Sequence, residues 1–171
     1  MDAEAHFREL RTKLLTRGIM VDTETAGEAP SRFPLMSLGA NLISDPKQKF
    51  YTTLKPDRFE FREEALRITG FTLDDLALSG TDPKEAIAKF NQWVGSFGIQ
   101  DPLFVAYNAC FDWMFYCDYS FRYHEENPFG YFAFDTKSAF GNLVKHSPVP
   151  HHAGQDAYIQ TLDLHRFFKT F

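Results

Sequence analysis

The 171 residues are 44% hydrophobic and 16% aromatic, which excludes a disordered chain and suits one globular domain with a substantial core. The net charge of −5 argues against broad, nonspecific binding of nucleic acid, which needs a basic surface. It leaves open an enzyme that binds a few nucleotides through metal ions. No run of about 18 apolar residues is present, so the sequence predicts no membrane-spanning helix.

Hydrophobic periodicity predicts helices and strands along the whole chain. In chain order these are a helix over 3–16, a strand ending at Asp22, a hairpin over 33–55, a short helix over 63–69, a helix from Asp82-Pro83 to Gly98, a strand over 103–107, a helix over 111–124, a strand over 131–134, and helices over 136–145 and 155–168. The first strand of the hairpin alternates apolar with small or polar residues, which predicts one buried and one exposed face. Strands that come first as a meander and then alternate with helices indicate an α/β domain with a mixed sheet. We expect a single domain over 1–171, with residues 1–17 as an N-terminal helical extension.

The most informative segment is the end of the first predicted strand, where two carboxylates stand two residues apart. Alternate residues of a strand share a face, so Asp22 and Glu24 are expected to point the same way. Two acids side by side repel each other unless a positive charge lies between them, and hard Mg²⁺ or Mn²⁺ prefers such oxygen ligands. The pair alone is a weak signal, because an ordinary strand-to-turn boundary produces it more often than a metal site does.

Three further residues strengthen the metal interpretation. Asp112 follows the predicted strand over 103–107, and His151 precedes Asp156 by five residues. Four carboxylates that converge in one pocket cannot all ionise in a low dielectric without cations, so two divalent ions are their natural complement. Two such ions stabilise the attacking and leaving oxygens of phosphodiester hydrolysis, and the histidine is then free to act as a general base on the attacking water.

Three segments of the sequence resemble the exonuclease motifs of a known family. These are Asp22-Thr23-Glu24-Thr25, Asn108-Ala109-Cys110-Phe111-Asp112, and the pair His151 and Asp156 with four residues between them. In order and rough spacing they are similar to the motifs of the DEDDh family of 3′–5′ exonucleases, in the DnaQ-like, ribonuclease H-like superfamily. The proofreading subunit of bacterial DNA polymerase III, ribonuclease T and oligoribonuclease belong to this family. The segment 65–70 also resembles the family between its first and second motifs, and the resemblance covers about residues 18 to 168.

The resemblance implies a fold, a chemistry and a substrate. The fold is ribonuclease H-like, a five-stranded mixed sheet flanked by helices. Four carboxylates would hold two Mg²⁺ or Mn²⁺ ions, and His151 would deprotonate the attacking water. The residues that the resemblance assigns to the metal ions are Asp22, Glu24, Asp112 and Asp156. The expected partner is the 3′ end of single-stranded DNA or RNA, and the expected product is a nucleoside monophosphate.

The resemblance also implies a binding site for the 3′-terminal nucleotide. The residues expected to line or flank it are Thr25, Ala26, Gly27, Asn108 and Phe111. The backbone of the first three is expected to touch the 3′ end, and the last two to support or flank the pocket. The chain departs from the family in three places: it has Ala26 where a second threonine is common, a tyrosine in place of a frequent histidine before Asn108, and a glycine where leucine is common in the third motif. These departures remove no ligand and bear on substrate preference more than on chemistry.

Some residues near these motifs have simpler interpretations. His152 could also reach the site, but the five-residue offset to Asp156 favours His151 as the base, and His152 is expected to touch phosphate or solvent. Asp135, at a predicted strand end, is better explained as the cap of the helix that follows it. Aromatic residues over 129–134 could stack bases, yet a sheet with alternating faces places most of them in the core.

Cysteine usage and the start of the chain bear on location. Cys110 and Cys117 lie two helical turns apart, too far to bridge, so we expect both thiols to be reduced and buried. The polar, acidic first residues do not resemble a secretory signal. Both features favour a cytoplasmic protein. The sequence leaves the oligomeric state open, and because members of the family include homodimers, a homodimer is one expectation.

The sequence therefore predicts a metal-dependent 3′–5′ exonuclease that hydrolyses phosphodiester bonds from single-stranded 3′ ends. The alternative is a catalytically silent domain of the same fold that binds nucleic-acid ends or another protein. The choice between DNA and RNA stays open, because contact with the 2′-hydroxyl depends on the shape of the pocket. Processivity, the physiological metal, and service to a polymerase or larger complex stay open as well.

Overall fold

A five-stranded sheet carries the fold, with helices on both of its faces. In the computed structural model, which describes residues 2–124, 126–144 and 147–170, the strands are β1 (Gly18–Thr25), β2 (Leu35–Leu42), β3 (Lys49–Thr53), β4 (Leu103–Ala106) and β5 (Ala133–Asp135). The helices are α1 (Ala3–Arg17), α2 (Glu63–Thr69), α3 (Leu73–Ser79), α4 (Pro83–Gly95), α5 (Ala109–Tyr119), α6 (Thr136–Phe140) and α7 (Ala153–Phe168). A π-helical turn (Ser120–His124) continues α5, and a 3₁₀ turn (Gly141–Leu143) follows α6.

The sheet is mixed, which confirms the predicted fold class. Its strand order is β3-β2-β1-β4-β5, with the hairpin strands β2 and β3 antiparallel to their neighbours and β4 and β5 parallel to theirs. Asp22 of β1 lies opposite Gly39 of β2, and Tyr51 of β3 lies opposite the same glycine on the other side. Because β1 and β4 are parallel, the acidic end of β1 meets the start of α5 at one edge of the sheet.

Each face of the sheet is buried against different helices. Val21 of β1 joins the larger apolar core with Tyr116 of α5. Met20 points to the opposite face, where it shares a second core with Leu164 of α7 and with α1 and α6. The two acids of β1 lie at even positions like Met20, so they extend from the face that α7 covers.

The strand β2 is buried on both faces, so the prediction of one exposed face is wrong. Ser37 and Asn41, at the positions expected to face solvent, have no exposed surface, because α7 lies over them. The closest approach is at Gly39, where an added Cβ would lie only 2.2 Å from the carbonyl carbon of Ala153. A glycine at this position is therefore what lets the start of α7 rest on the sheet.

Three further expectations differ from the structure. The helix α3 was not predicted, and the helix predicted over 136–145 divides into α6 and a 3₁₀ turn, with Lys145 outside the described residues. The two cysteines are free thiols but are not buried: Cys110 is exposed in the first turn of α5, and Cys117 is half-buried. The prediction of two buried thiols is therefore wrong.

The aromatic segment before β5 is only partly in the core. Phe129 is buried, but Tyr131 and Phe132 are 96% and 60% exposed, because the strand begins at Ala133 and these two rings precede it. The prediction that most of 129–134 is core is wrong for those two residues. Within the described ranges, none of the helices is long and apolar enough to cross a membrane.

Candidate active site

The two acids of β1 extend into a cleft of about 210 Å³ at the end of the strand. Burial, and then the carboxylates of Asp156 and Asp112, raise the pKa of Glu24 from 4.5 to about 8. Burial, followed by repulsion from the three other carboxylates, also holds the pKa of Asp22 well above its usual 3.8, while a hydrogen bond from Gln160 lowers it. The cleft therefore disfavours negative charge wherever no cation compensates it.

Asp112 enters the same cleft from α5 and is held there by Thr23. The backbone N–H and the hydroxyl of Thr23 both donate to Oδ1 of Asp112, at 2.9 and 2.7 Å. Burial raises the pKa of Asp112 to about 7, although the two bonds from Thr23 lower it. Thr23 stands between Asp22 and Glu24, so strand alternation turns it to the face from which α5 approaches. One strand thus supplies two acids and the anchor of a third.

The turn between β4 and α5 aims Asp112 at the cleft. Asn108 has a left-handed backbone with φ of 66°, a conformation that asparagine tolerates better than most residues. Its N–H donates to Oδ1 of Asp135 at 3.0 Å, and the same oxygen accepts from the N–H of Lys137, which caps α6. This confirms the predicted cap. Asn108 and Phe111 both line the cleft.

The start of α7 supplies the remaining two residues of the site. Asp156 lies in its first turn, is 3% exposed, and accepts from the backbone N–H of His152 at 3.2 Å. Burial raises its pKa, although that hydrogen bond and the nearby imidazoles lower it. His151 has a left-handed backbone with φ of 56° and an exposed side chain. Ligand atoms of Glu24, His151 and Asp156 all lie within 4.8 Å of one another.

His152 has a role that sequence analysis did not assign to it. Its Nδ1 accepts from the N–H of Gln155 at 3.4 Å, which makes it the N-cap of α7. Its ring stacks on Tyr51 of the edge strand, with centroids 4.3 Å apart and planes 25° apart. Because Tyr51 lies across Gly39 from Asp22, this stack ties the start of α7 to the sheet beside the cleft.

Thr25, Ala26 and Gly27, whose backbone is predicted to touch the 3′ end, follow Glu24 in sequence and are not among the described residues that line the cleft. The hydroxyl of Thr25 donates to the carbonyl of Gly27 at 2.7 Å. Both backbone groups of Ala26 are hydrogen-bonded, its carbonyl to the N–H of Arg62 at 2.7 Å. Gly27 packs on Phe33, where an added Cβ would lie 2.5 Å from the ring. Contact of these residues with substrate stays a prediction.

The donor set of the cleft fits a hard divalent cation. Within the part of the chain that the structure describes, Oδ1 of Asp156 and Oε1 of Gln160 are buried and have no hydrogen-bond partner. An unpartnered buried acceptor costs about 1–3 kcal/mol, so these oxygens need a cation or a donor. Four carboxylates and a neutral amide oxygen are the type of ligand that Mg²⁺ and Mn²⁺ prefer.

Solved exonuclease structures share this fold. The nuclease domain of 3′hExo, a DEDDh family member bound to rAMP, is similar with a TM-score of 0.72 and 11% identity, over 91% of this chain and 93% of that one. Escherichia coli exonuclease I in complex with a dA16 oligonucleotide is similar with a TM-score of 0.64 and 17% identity, over 91% of this chain and 42% of that one. No protein-family model matches the chain.

The sequence comparison decides the family. An Escherichia coli protein named 3′-5′ DNA exonuclease Cap18 is 37% identical over 124 residues. The chain belongs to the DEDDh exonuclease family. The alignment covers 71% of this chain, and the chain spans 66% of the length of the relative.

Two residues at the site were missed by sequence analysis. Gln160 lines the cleft and donates from Nε2 to Oδ1 of Asp22 at 2.8 Å. Its spacing of four residues from Asp156 on a predicted helix was a usable signal, because such residues share a face. Tyr51 had no comparable signal, since its place depends on the register of the hairpin against β1.

Proposed function

We propose that this chain is a metal-dependent 3′–5′ exonuclease that releases nucleoside monophosphates from the 3′ end of single-stranded DNA. The observation that carries the proposal is the convergence of four carboxylates and one imidazole, from β1, α5 and the start of α7, in one cleft. DNA is proposed because the relative is named a DNA exonuclease and exonuclease I is described with a dA16 oligonucleotide. RNA is the comparison substrate, because 3′hExo is described with rAMP.

The four carboxylates are proposed to hold two Mg²⁺ or Mn²⁺ ions. The ligand residues would be Asp22, Glu24, Asp112 and Asp156. When bound, two such ions supply positive charge that stabilises the attacking and leaving oxygens of a phosphodiester. The chain itself fixes two of these acids by hydrogen bonds, Asp112 through Thr23 and Asp156 through the backbone N–H of His152.

His151 is proposed as the general base. Its side chain is exposed at the mouth of the cleft beside Glu24 and Asp156, so water reaches it there. The neutral imidazole accepts a proton from the attacking water, and the adjacent carboxylates stabilise the imidazolium that forms. The water oxygen bonds to phosphorus, the bond to the 3′ oxygen of the preceding nucleotide breaks, and that oxygen takes a proton from solvent. The product is a nucleoside monophosphate. A cytoplasmic location and a homodimer remain predictions.

The test is a cleavage assay on single-stranded DNA and RNA of the same sequence, each labelled at the 5′ end, with Mg²⁺ or Mn²⁺. We expect products shortened stepwise from the 3′ end, faster for DNA, and no cleavage by Asp112→Ala or Asp156→Ala. Asp74→Ala is the matched control, because Asp74 is exposed on α3, and it should cleave like the wild type. Full activity of either cleft variant, or loss of the label as the first product, would contradict the proposal.

A further inference from the structure

Gln160 lines the cleft, and the proposed chemistry gives it no role. It lies on α7 one turn beyond Asp156, and its Nε2 donates to Oδ1 of Asp22 at 2.8 Å across 138 residues of sequence. Its Oε1 is buried and, in the described part of the chain, has no hydrogen-bond partner. A buried amide with one end bonded and the other free is costly unless another group completes it.

The chemistry of the two side chains decides which end of the amide faces which neighbour. When Asp22 is ionised, as a carboxylate that binds a metal ion is, it only accepts hydrogen bonds, so it can be met only by the N–H end of Gln160, as in the structure. Oε1 of the amide is then directed away from Asp22. Exchange of the two ends would set two acceptors against each other and lose the bond. The free acceptor is thus a consequence of the contact with Asp22.

Gln160 and Asp156 line the same cleft. The two residues are four apart on α7, so their side chains lie on one helix face, one turn from each other. Both Oδ1 of Asp156 and Oε1 of Gln160 are buried without a partner, as far as the structure is described. Two buried acceptors that lack a donor, on side chains one turn apart, point to a cation or a hydrogen-bond donor that occupies the cleft during function.

We propose that Gln160 is a positioning residue of the metal site, which fixes the Asp22 carboxylate through Nε2 and accepts a hydrogen bond at Oε1 from a group that enters the cleft. The inference rests on the proposed function, since it assigns Gln160 to the same metal site. Residues that orient metal ligands typically change metal affinity 10–100-fold when they are removed. A purely structural tie between α7 and β1 would instead change only the stability of the metal-free protein.

The first test is calorimetric titration of the metal-free protein with Mn²⁺. Gln160→Met keeps the length of the side chain and removes its donor, so we expect Mn²⁺ affinity to fall about 10–100-fold. Gln92→Met is the matched control, because Gln92 is exposed on α4, and its affinity should equal that of the wild type. Affinity of Gln160→Met within twofold of the wild type overturns the inference. If the wild type itself binds no Mn²⁺, the proposed function fails first.

The second test measures cleavage of single-stranded DNA across Mn²⁺ concentrations. Because Gln160 acts through the metal site, excess Mn²⁺ should restore kcat of Gln160→Met toward the wild-type value, with KM for DNA unchanged. A loss that no Mn²⁺ concentration restores overturns the inference.

A third measurement needs no variant at this position. In the ¹⁵N-labelled wild type, Mg²⁺ should shift the side-chain amide signals of Gln160 and leave those of Gln92 in place. Gln160 signals that stay unchanged at saturating Mg²⁺ also overturn the inference.

Discussion

Replacement of Glu24 by glutamine should make the metal-free protein more stable at neutral pH while it abolishes catalysis. Glu24 is 9% exposed and lies close to Asp156 and Asp112, so its negative charge is disfavoured in the folded cleft. Glutamine has nearly the same shape and no charge to bury. Removal of a residue proposed to be essential is therefore expected to stabilise the metal-free protein, because the charge of Glu24 opposes folding when no cation compensates it.

The size of this effect follows from the pKa of Glu24. The carboxyl ionises near 4.5 in the unfolded chain and near 8 in the folded protein, first because of burial and then because of Asp156 and Asp112. Below pH 4.5 Glu24 is protonated in both the folded and the unfolded protein, so it does not lower the free energy of unfolding. As pH rises from 4.5 toward 8, Glu24 loses its proton in the unfolded chain before it does in the folded protein, so the free energy of unfolding falls. At pH 7, about 2.5 pH units above the lower value, the loss is about 3 kcal/mol at ~1.4 kcal/mol per unit.

The assay is urea unfolding in EDTA at pH 4.5 and pH 7. Glu24→Gln should match the wild type at pH 4.5 and exceed it by about 3 kcal/mol at pH 7, or about 6–12 °C in Tm. Added Mg²⁺ should raise wild-type stability and have a much smaller effect on Glu24→Gln. Glu63→Gln, at an exposed position of α2, should stay within ~0.5 kcal/mol of the wild type at both pH values. A variant that is no more stable than the wild type at pH 7 would refute the reasoning.

Three other substitutions test separate parts of the site. His151→Ala should lower kcat by about 10²–10⁴ while the Mn²⁺ affinity, measured by calorimetry, changes only a few-fold. A parallel loss of metal binding would show that the imidazole is a metal ligand and not the general base. Gly39→Ala should destabilise the protein by about 1–3 kcal/mol in urea unfolding, because its methyl group would meet the Ala153 backbone, and unchanged stability would contradict that close packing. Tyr51→Ala should lower kcat several-fold with KM little changed, because the ring that stacks on His152 is lost. Tyr51→Phe keeps the ring and should keep wild-type activity. Equal losses in the two variants would assign the effect to the hydroxyl.

Local rules predicted most of the residues that meet in the cleft. Strand alternation alone placed Asp22 and Glu24 on one face, since that periodicity holds for any strand. The cap at Asp135 followed from its position before a helix, because an N-cap bond spans only two or three residues. The order of the three motifs then named the remaining acids and the histidine. The same local rules missed the role of His152, whose ring partner comes from a distant strand.

What the sequence by itself determined is most of the elements, the mixed α/β class, and the acids on which the proposed exonuclease chemistry depends. What only the tertiary structure decided is how distant segments meet. The burial of β2 on both faces, the approach of α7 over Gly39, and the contact of Gln160 with Asp22 all depend on where one helix docks. Periodicity and capping record interactions between residues a few positions apart. Docking depends on the register of paired strands and on surface shape, which no short stretch of sequence contains.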